Sequence, residues 1–381
     1  MSRNLTKLVS NCVLDRTALT SPLPEIKPNV FQKKVQALLR MMARRVFALL
    51  WGCVLAGLVG FLLALPAQAA GASNEAPLRF GILPLGGAFE SRNDWEPLLA
   101  DLSRAIGRPV SVLSVNSYEA LEKAIEHDQV DMAFLSGKMA LDAVTQRRMN
   151  VVAQVTRHDG LPGYRALLLA RKTGPRTTLK DLLAEPERWR LARGESRSVS
   201  GFIVPQLQLF LPNHIAMETR FLSEIVGTHQ TTALAVANGD ADVATNNTTD
   251  FDRFKQQFPV EAARLQVIWE SSPTPPALFV MRRDQPAAVR KRLQDFLVGY
   301  GQAKGPRGDA EREVLKQLHA PLGYAAEDDS VLLPTAALDY QVARQRALNA
   351  KWVNEAARQA RLERLERNYT QQAATLRGTA P

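Results

Sequence analysis

The stretch THQTTALAVANGDADVATNNTTD, residues 228–250, decides the fold of this chain. Thr228 is a suitable N-cap for a helix, and Asn238-Gly239-Asp240 supplies the turn that ends it. A short apolar strand over 241–244 follows and stops at the polar residues 245–248. Open α/β sheets bind anions and small ligands where a helix N-terminus and a strand C-terminus meet at one edge. We therefore expect the functional site at this edge.

Strands and helices alternate along the chain after residue 78, at a spacing typical of βαβ units. One helix has a capping-box-like start, because Asn116 is followed three residues later by Glu119. The pattern predicts a sheet with helices on both faces. The expected strands cover residues 79–85, 109–115, 130–135, 150–156, 165–171 and 278–282, and the expected helices cover 94–106, 116–128 and 137–147.

A weak internal repeat suggests two similar lobes. Residues 120–133 and residues 233–244 each read as a helix, a turn and a strand, with Asp131 and Asp242 near the strand starts. Ordinary α/β units also resemble one another, so both explanations stay open. If the repeat is real, a cleft lies between two lobes. The expected divisions are lobe I at 76–168 plus 274–338, lobe II at 169–273, and an Arg- and Gln-rich C-terminal helix at 339–376.

The first 69 residues differ from the rest of the chain. Ala43-Arg44-Arg45 precedes an uncharged apolar run over 46–65, and small residues around Ala69 follow that run. This order is typical of a secretory signal peptide, which we expect to be cleaved after Ala69. Translation is expected to start at Met41 or Met42. The apolar run is also long enough to span a bilayer, so an uncleaved inner-membrane anchor is the alternative.

Charge and cysteine content indicate an exported protein that does not bind nucleic acid. The chain has 48 Lys and Arg against 38 Asp and Glu, but residues 1–69 hold nine against two. The remainder carries 39 against 36, which lacks the clustered basic excess of a nucleic-acid-binding surface. Both cysteines, Cys12 and Cys53, lie in the leader, so we expect a mature periplasmic protein without a disulfide.

The sequence lacks the motifs of common enzyme classes. It contains no phosphate-loop G-x-x-x-x-G-K, no H-E-x-x-H and no G-x-S-x-G elbow. The five histidines, at positions 127, 158, 214, 229 and 319, do not have the spacing of metal ligands. We therefore expect neither catalysis nor a bound cofactor or metal.

Several polar residues are candidates for ligand contacts. Ser198-Val199-Ser200-Gly201 precedes an apolar stretch, where hydroxyls and free backbone N–H groups at a helix start can bind an anion. His229 opens the helix quoted above, and Asn246 lies at the end of the following strand. Tyr118 lies near a helix start, and Tyr164 follows a tight turn. Each of these residues also has a simpler explanation as a cap, a turn residue or a core residue.

Taken together, in their order and spacing, five segments resemble the phosphonate-binding periplasmic component of phosphonate ABC transporters. The resemblance extends over nearly all of the expected mature chain, from about Arg79 into the tail helix. It implies an α/β, two-lobed periplasmic binding protein fold, type II-like, with a central cleft and a C-terminal tail helix. The segments are DGLPGY (159–164), SVSGFIVP (198–205), HQTTALAVAN (229–238), DVATNNT (242–248) and VIWESS (267–272).

The resemblance also implies roles for individual residues. In that family the two lobes close on the ligand, serines at a helix start and a histidine hold the phosphonate oxygens, and aromatic residues line the opposite side. The matching positions here are Ser198, Ser200 and His229, the backbone N–H groups of Val199 and Ser200, and the aromatic rings of Tyr118 and Tyr164.

Three positions depart from the family pattern. Val199 replaces a second hydroxyl residue, which removes one hydrogen bond from the anion site. Thr249 and Ala277 match positions that are acidic in members binding aminoalkyl phosphonates. Because both residues are neutral here, a ligand ammonium group would lack a counter-charge. We expect phosphite, a simple alkyl phosphonate or a related oxyanion, with Thr249 among the residues around it.

The resulting hypothesis is a monomeric periplasmic solute-binding protein that delivers a phosphorus oxyanion to the membrane permease of an ABC importer. Hinge closure of the lobes would be the signal that the permease reads. One alternative is a sensor subunit for a signalling receptor, which neighbouring permease and ATPase genes would argue against. Another is a hydrolase of phosphorylated metabolites, which would release product from such esters.

Overall fold

The structure, a computed structural model, describes residues 76–84, 88–156, 164–172 and 178–378. The expected signal peptide and translation start lie outside these ranges, as do residues 159–163 of the DGLPGY segment. Within the described ranges, no helix is long and apolar enough to cross a bilayer. Strands and helices alternate from Leu78 onward, as the sequence predicts.

The strands form two separate sheets. They are β1 (Leu78–Ile82), β2 (Val110–Leu113), β3 (Met132–Leu135), β4 (Met149–Val155), β5 (Tyr164–Arg171), β6 (Arg190–Arg193), β7 (Ser223–Val226), β8 (Val243–Asn247), β9 (Leu265–Thr274), β10 (Leu278–Arg282) and β11 (Tyr324–Ala326). The first sheet has the order β11-β4-β10-β3-β1-β2 and the second the order β7-β6-β8-β5-β9. Parallel pairs flank β1 in the first sheet and β6 in the second. Each sheet is the centre of one lobe.

Helices cover the sheets, and short helical turns fill several connections. The α-helices are α1 (Ala88–Ile106), α2 (Tyr118–Glu126), α3 (Gly137–Thr145), α4 (Leu179–Ala184), α5 (Met217–Arg220), α6 (His229–Asn238), α7 (Thr248–Gln257), α8 (Pro259–Ala262), α9 (Ala287–Gly299), α10 (Pro306–Gln317), α11 (Leu333–Asn349) and α12 (Glu355–Leu376). Turns of π or 3-10 type cover Pro186–Arg188, Val199–Ile203, Gln206–Phe210, Leu211–Asn213 and Asp329–Leu332.

The first sheet is packed on both faces. Met132 and Phe134 of β3 belong to one buried apolar cluster, which also contains residues of α1 and α9. Ala133 and Leu135 belong to another, which contains residues of α2 and α3. This alternation follows from the two-residue period of a strand. The predicted sheet with helices on both faces is therefore present.

Two helices begin at residues other than those expected. Helix α1 starts at Ala88, six residues before the predicted position 94. Helix α2 is capped by Ser117 and not by the expected Asn116, because the Ser117 hydroxyl accepts a hydrogen bond from the N–H of Ala120 at 3.0 Å. A serine one residue later satisfies the same free N–H groups, so the capping box is not used.

Strand β5 lies in the second sheet, where it pairs with β8 and β9. The expected division after residue 168 runs through this strand. The apolar sequence 165–171 predicts a strand but does not indicate which of the two sheets that strand joins. Strand β10 pairs with β3 and β4 in the first sheet. The chain therefore enters the second lobe between β4 and β5 and returns through Pro275, Pro276 and Ala277, between β9 and β10.

The stretch quoted first forms helix α6, a turn and strand β8. Thr228 is the N-cap of α6, since its side chain accepts a hydrogen bond from the N–H of Thr231. Gly239 ends the helix with a φ of +90°, a conformation that glycine adopts without strain. Both predicted helix ends are confirmed.

Strand β8 runs from Val243 to Asn247 and does not end at residue 244 as expected. Its polar residues are buried and continue the strand because they find hydrogen-bond partners in the interior. The Thr245 hydroxyl donates to the carbonyl of Gly201 at 2.7 Å. Asn247 ends the strand and caps α7, since its side chain accepts from the N–H of Asp250.

Matching ion pairs in the two lobes support the internal repeat. Asp131 accepts hydrogen bonds from the backbone N–H, Nε and Nη2 of Arg79, each at 2.9 Å. Asp242 accepts bonds from the same three groups of Arg190, at 2.7–3.1 Å. The two residues of each pair are 52 positions apart in both lobes. Each aspartate precedes a strand that runs parallel to the strand carrying its arginine.

The C-terminal region forms two helices and not the single helix predicted over 339–376. Helix α11 ends at Asn349, and α12 begins after Asn354, whose side chain accepts a hydrogen bond from the N–H of Ala357. This cap starts a new helix, which packs against α11. The rings of Tyr340 and Tyr369 stack there, with centroids 4.7 Å apart.

Helix α11 is a further connection between the lobes. Ala336 belongs to an apolar cluster of the first lobe, and Val342 belongs to a cluster of the second. Arg346, near the end of the helix, forms an ion pair with Glu218 of the second lobe at 2.5 Å. The helix therefore packs on both sides of the cleft.

Candidate functional site

A cavity of about 480 Å³ lies between the two lobes. The two lobes line it with different chemistry. Residues of the first lobe in the lining include Trp95, Tyr118, Phe134, Val155, Pro276 and Ala277. Residues of the second lobe include Tyr164, Ser198, Ser200, His229, Asn247 and Asp250. Around Trp95 and Phe134 the first-lobe wall is apolar and aromatic, while Ser136, Lys316 and His319 line other parts of it. The second-lobe wall carries hydroxyl, imidazole, amide and carboxylate groups.

The polar wall includes a helix start at Ser198. The Ser198 hydroxyl accepts a hydrogen bond from the N–H of Gly201 at 3.0 Å, and a wide π-type turn follows over Val199–Ile203. Gly194 lies so close to this turn that a Cβ on Gly201 would be 2.8 Å from the Cα of Gly194. The backbone N–H groups of Val199 and Ser200 donate to no other described residue, as expected for the first N–H groups of a helix.

Four polar atoms form a closed ring in the same wall. The Ser200 hydroxyl lies 3.1 Å from Nε2 of His229 and accepts a hydrogen bond from the Asn247 amide at 3.2 Å. That amide also donates to Oδ2 of Asp250 at 2.6 Å. The ring is completed by the 3.9 Å separation between Asp250 Oδ2 and His229 Nε2. We call Ser200, His229, Asn247 and Asp250 the four-residue cluster.

The interior of the second lobe fixes His229 in place. The Asn246 amide donates to the backbone carbonyl of His229 at 2.9 Å, and the Thr232 hydroxyl donates to the same carbonyl at 3.1 Å. Burial lowers the pKa of His229, and the charge of Asp250 and the nearby carbonyl of Thr245 oppose that shift. The Nδ1 atom is buried without a well-formed hydrogen bond to any described residue.

Two tyrosines lie beside these polar groups. Tyr118 comes from the first lobe, opposite the serines, but Tyr164 starts β5 of the second lobe and lies on the same side as the serines, unlike the position that the resemblance implies. Burial raises the pKa of Tyr118, and an interaction with Ser198 offsets part of the shift. Burial also raises the pKa of Tyr164 to about 12, while interactions with Ser200 and Thr274 oppose it. Both phenols are therefore protonated at neutral pH and can act as hydrogen-bond donors.

The apolar wall is built on the first sheet. The rings of Trp95 and Phe134 are both more than nine-tenths buried, with centroids 4.8 Å apart. Val155 ends strand β4, and Ala277 precedes β10, so both lie at the edge of the sheet that faces the cleft. These residues offer a ligand apolar contact and no charge.

The lobes touch directly beside the cavity. A carboxylate of the second lobe, Glu195, accepts hydrogen bonds from the backbone N–H groups of Tyr118 and Glu119 at the start of α2, at 2.9 and 3.3 Å. Arg253 of the second lobe forms an ion pair with Asp94 of the first at 2.9 Å. These contacts between lobes show that the cleft is closed.

Among the described residues, no group of three or more His, Cys, Asp or Glu side chains is placed to hold a metal ion. Oxygen and nitrogen donors for an anion, a closed two-lobed cleft and an apolar opposite wall are the features of the site. A family model described as "ABC transporter, phosphonate, periplasmic substrate-binding protein" matches residues 80–332. The chain belongs to this family. The family and the two-lobed fold predicted from the sequence are therefore confirmed.

Sequence similarity to known proteins supports the same family for this binding protein. It is 33% identical to the phosphonates-binding periplasmic protein of Escherichia coli over 282 residues, which are 74% of this chain and 81% of the relative. It is 25% identical to the phosphate-import protein PhnD of Mycolicibacterium smegmatis over 200 residues, covering 50% of this chain and 61% of that protein.

Solved structures share the fold. A binding protein component of an ABC phosphonate transporter from Pseudomonas aeruginosa superposes with a TM-score of 0.73 at 29% identity, covering 80% of this chain and 99% of that one. PhnD1 from Prochlorococcus marinus, solved in complex with methylphosphonate, gives a TM-score of 0.60 at 16% identity, covering 70% and 97%. The second likeness concerns the fold alone.

The binding protein brings most of the sequence-predicted residues to its cavity. Asn246 is the exception, because it alternates with Asn247 along β8 and faces away from the lining, where it holds the backbone of His229. The predicted residues that line the cavity are Tyr118, Tyr164, Ser198, Val199, Ser200, His229 and Thr249.

Two members of the four-residue cluster were not among the predicted contacts. Asn247 follows Asn246 directly. Neighbouring side chains of a strand point to opposite faces, so a correct strand end would have shown that only one of the two can face the cavity. Asp250 lies in the first turn of α7, where an acidic residue is commonly explained by its favourable interaction with the helix dipole. Only its position beside His229 marks it as part of the site.

Proposed function

We propose that this binding protein captures a phosphonate or a related small phosphorus oxyanion in the periplasm and delivers it to the membrane permease of an ABC importer. The four-residue cluster beside the helix start at Ser198, enclosed between two lobes, carries the proposal. We infer that the chain reaches the periplasm through the signal peptide expected in residues 1–69. Its role is to bind and release the ligand without chemical change.

The polar wall supplies enough donors for three phosphonate oxygens. Hydroxyls of Ser198 and Ser200, the free N–H groups of Val199 and Ser200, and the imidazole of His229 border the same cavity. The tyrosine hydroxyls add donors near the two serines. An enclosed site with this many polar groups is costly unless an anion satisfies them, so closure around an oxyanion is favoured.

The apolar wall supports a ligand whose fourth substituent is uncharged. Trp95, Phe134 and Ala277 would contact that substituent once the oxygens are held by the second lobe. Asp252, at the margin of the cavity, already pairs with Lys255 at 2.9 Å. Thr249 and Ala277, at positions that are acidic in aminophosphonate-binding members of the family, are neutral here. The Asp250 carboxylate that also lines the cavity already accepts a hydrogen bond from the Asn247 amide within the four-residue cluster. We therefore propose alkyl phosphonates or phosphite, and not aminoalkyl phosphonates, as ligands.

A thermal-shift panel tests this proposal on the mature chain, residues 70–381. The ligands are phosphite, methylphosphonate, phosphate, sulfate and 2-aminoethylphosphonate. A true ligand at a hundred times its Kd should stabilise the fold by about 2.7 kcal/mol, which raises the Tm by several degrees. Strongest stabilisation by the aminophosphonate would refute the inference from Thr249 and Ala277, and no shift with any phosphorus oxyanion would refute the function.

A pair of serine variants adds a site control. Ser200→Ala removes a hydroxyl of the four-residue cluster, and Ser196→Ala removes an exposed hydroxyl four residues earlier in the same loop. A lost hydrogen bond to a charged group costs about 1.5–3 kcal/mol, so Ser200→Ala should weaken binding by roughly tenfold or more. Ser196→Ala should bind as the wild type does. Equal behaviour of both variants would place the ligand elsewhere.

A further inference from the structure

The cavity that we propose to bind an anion also contains a carboxylate, that of Asp250, which would repel an anion. Its side chain is 12% exposed, it lines the cavity, and its Oδ2 lies 3.9 Å from His229 Nε2. The Asn247 amide that donates to Asp250 also donates to Ser200. The carboxylate therefore shares its neighbours with the atoms proposed to hold the ligand. The hydrogen bond that caps α7 joins the Asn247 side chain to the Asp250 backbone N–H and does not involve the Asp250 carboxylate.

A carboxylate and a fully ionised oxyanion repel each other strongly in a site closed to water. Two like charges a few ångströms apart in such surroundings raise the pKa of one of them until a proton is shared. A phosphonate or phosphite can supply that proton, because its second ionisation occurs near neutral pH. A sulfonate or sulfate cannot, because it carries no proton in this range.

We propose that Asp250 accepts a hydrogen bond from a protonated oxygen of the bound ligand, so that the cleft selects oxyanions that keep one proton near neutral pH. The remaining two oxygens accept hydrogen bonds from the serine and His229 side of the cluster. No covalent bond to the ligand's phosphorus forms or breaks, and the ligand leaves the site as the same singly protonated anion. This inference rests on the proposed function and names the protonation state that the site recognises.

Other titratable groups surround the Asp250 carboxylate and also contribute to any pH dependence of ligand binding. His229 belongs to the cluster, and the charge of Asp250 also acts on His319 of the first lobe. Arg253 of helix α7 acts on His319 as well, and Arg253 itself pairs with Asp94. The phenols of Tyr118 and Tyr164 stay protonated at neutral pH beside the same charge. Burial lowers the pKa of both histidines, so neither is expected to be charged in the empty site above neutral pH.

The first experiment compares two isosteric ligands by calorimetry on the mature chain. Methylphosphonate can carry a proton and methanesulfonate cannot. A site built around a hydrogen bond to a ligand hydroxyl rejects analogues without it by up to about 10⁴-fold. We expect the wild type to prefer methylphosphonate by at least about a hundredfold, and Asp250→Asn to reduce that preference by at least about tenfold. An asparagine amide can donate to an ionised oxygen, so the variant should gain affinity for methanesulfonate.

Asp252→Asn is the matched control. It removes one negative charge from the same helix, and its carboxylate is 63% exposed and paired with Lys255. Asp252→Asn should keep the wild-type preference. Melting curves without ligand show whether Asp250→Asn is folded, and its backbone bond to the Asn247 side chain is retained in the variant. If Asp250→Asn binds methylphosphonate with the full wild-type preference over methanesulfonate, the inference is wrong.

The second experiment measures the proton directly. Calorimetry in two buffers of different ionisation enthalpy, one pH unit above the second pKa of methylphosphonate, gives the number of protons taken up on binding. The wild type should take up close to one proton, and Asp250→Asn should take up clearly less. Unchanged uptake in Asp250→Asn, together with its loss in His229→Gln, would assign the proton to the imidazole and overturn the inference. Absence of binding by methylphosphonate at every pH would instead refute the proposed function.

Discussion

Replacing Glu195 by alanine is expected to loosen the closed cleft without damaging either lobe. The carboxylate belongs to the loop before Ser198, at the proposed anion site, and it accepts hydrogen bonds from the N–H groups of Tyr118 and Glu119 across the cleft. These N–H groups begin helix α2, where the helix dipole also favours a negative charge. In an open form, water would satisfy all three groups. The interaction therefore stabilises only the closed form.

The size of the effect follows from the geometry. Hydrogen bonds to a charged group are worth about 1.5–3 kcal/mol, and an anion at a helix N-terminus about 0.3–1 kcal/mol when exposed. The bond to Tyr118 is partly buried and the bond to Glu119 is exposed, so we take about 1–2 kcal/mol in total. That corresponds to a factor of about 5–30 in the equilibrium between open and closed forms. When the open form prevails without ligand, the apparent Kd rises by the same factor.

The assay is a titration of methylphosphonate followed by tryptophan fluorescence, because Trp95 lines the cavity. Glu119→Ala is the control, since the Glu119 carboxylate pairs with Lys123 within α2 at 2.6 Å. The charge of Arg197 across the cleft is the weakest of the interactions that act on this carboxylate. Exposed pairs of that kind are worth about 0–1 kcal/mol, and here the pair acts equally in both forms. Glu195→Ala should therefore raise the Kd and the ligand dissociation rate, while Glu119→Ala should change neither.

A Kd for Glu195→Ala within twofold of the wild type would refute this reasoning, provided that the melting temperature without ligand is also unchanged. In that case the hydrogen bonds to α2 would not distinguish the two forms. A large loss of melting temperature without ligand would also count against it, because Glu195 would then stabilise the lobe itself.

Two further predictions concern the site and the fold. His229→Ala should cost about 1.5–3 kcal/mol of binding if the imidazole makes a charge-assisted hydrogen bond to the ligand, and unchanged affinity in calorimetry would remove His229 from the site. Asp131→Asn should lower the free energy of unfolding at neutral pH. Burial alone would raise the pKa of Asp131, but the hydrogen bonds from Arg79 outweigh burial and lower this pKa. A carboxylate with a lowered pKa stabilises the fold above its unfolded pKa of about 3.9, and this stabilisation is lost as the pH falls through the folded pKa. Urea unfolding of the two proteins should therefore give a difference at pH 7 that shrinks in acid.

The sequence predicted those parts of the molecule that depend on neighbouring residues. Thr228 and Gly239 bound helix α6 as expected, because a cap and a left-handed glycine act within one turn. Ser198 likewise begins the turn at the proposed anion site, where its hydroxyl accepts a hydrogen bond from the N–H of Gly201, three residues away. The order of motifs also indicated the family, and the match over residues 80–332 confirms it.

Other features needed the folded chain. The expected end of β8 at residue 244 was wrong because the polar residues after it are satisfied by groups far away in the sequence, such as the carbonyl of Gly201 that Thr245 contacts. The expected C-terminal tail helix is present, but it begins at Glu355 and not at residue 339, because Asn354 caps a helix separate from the one before it. Patterns of apolar residues describe a face or a period, and they do not identify the element that will cover it.

Sequence alone therefore determined the alternation of strands and helices, both ends of helix α6 and the chemical class of the donors. Tertiary structure decided which of these groups meet: Glu195 reaches Tyr118 across 77 residues, and Asp250 comes to lie beside an imidazole 21 positions earlier. The physical reason is range, since capping and turn preferences are local interactions, whereas the burial and pairing of a charge depend on every segment that packs around it.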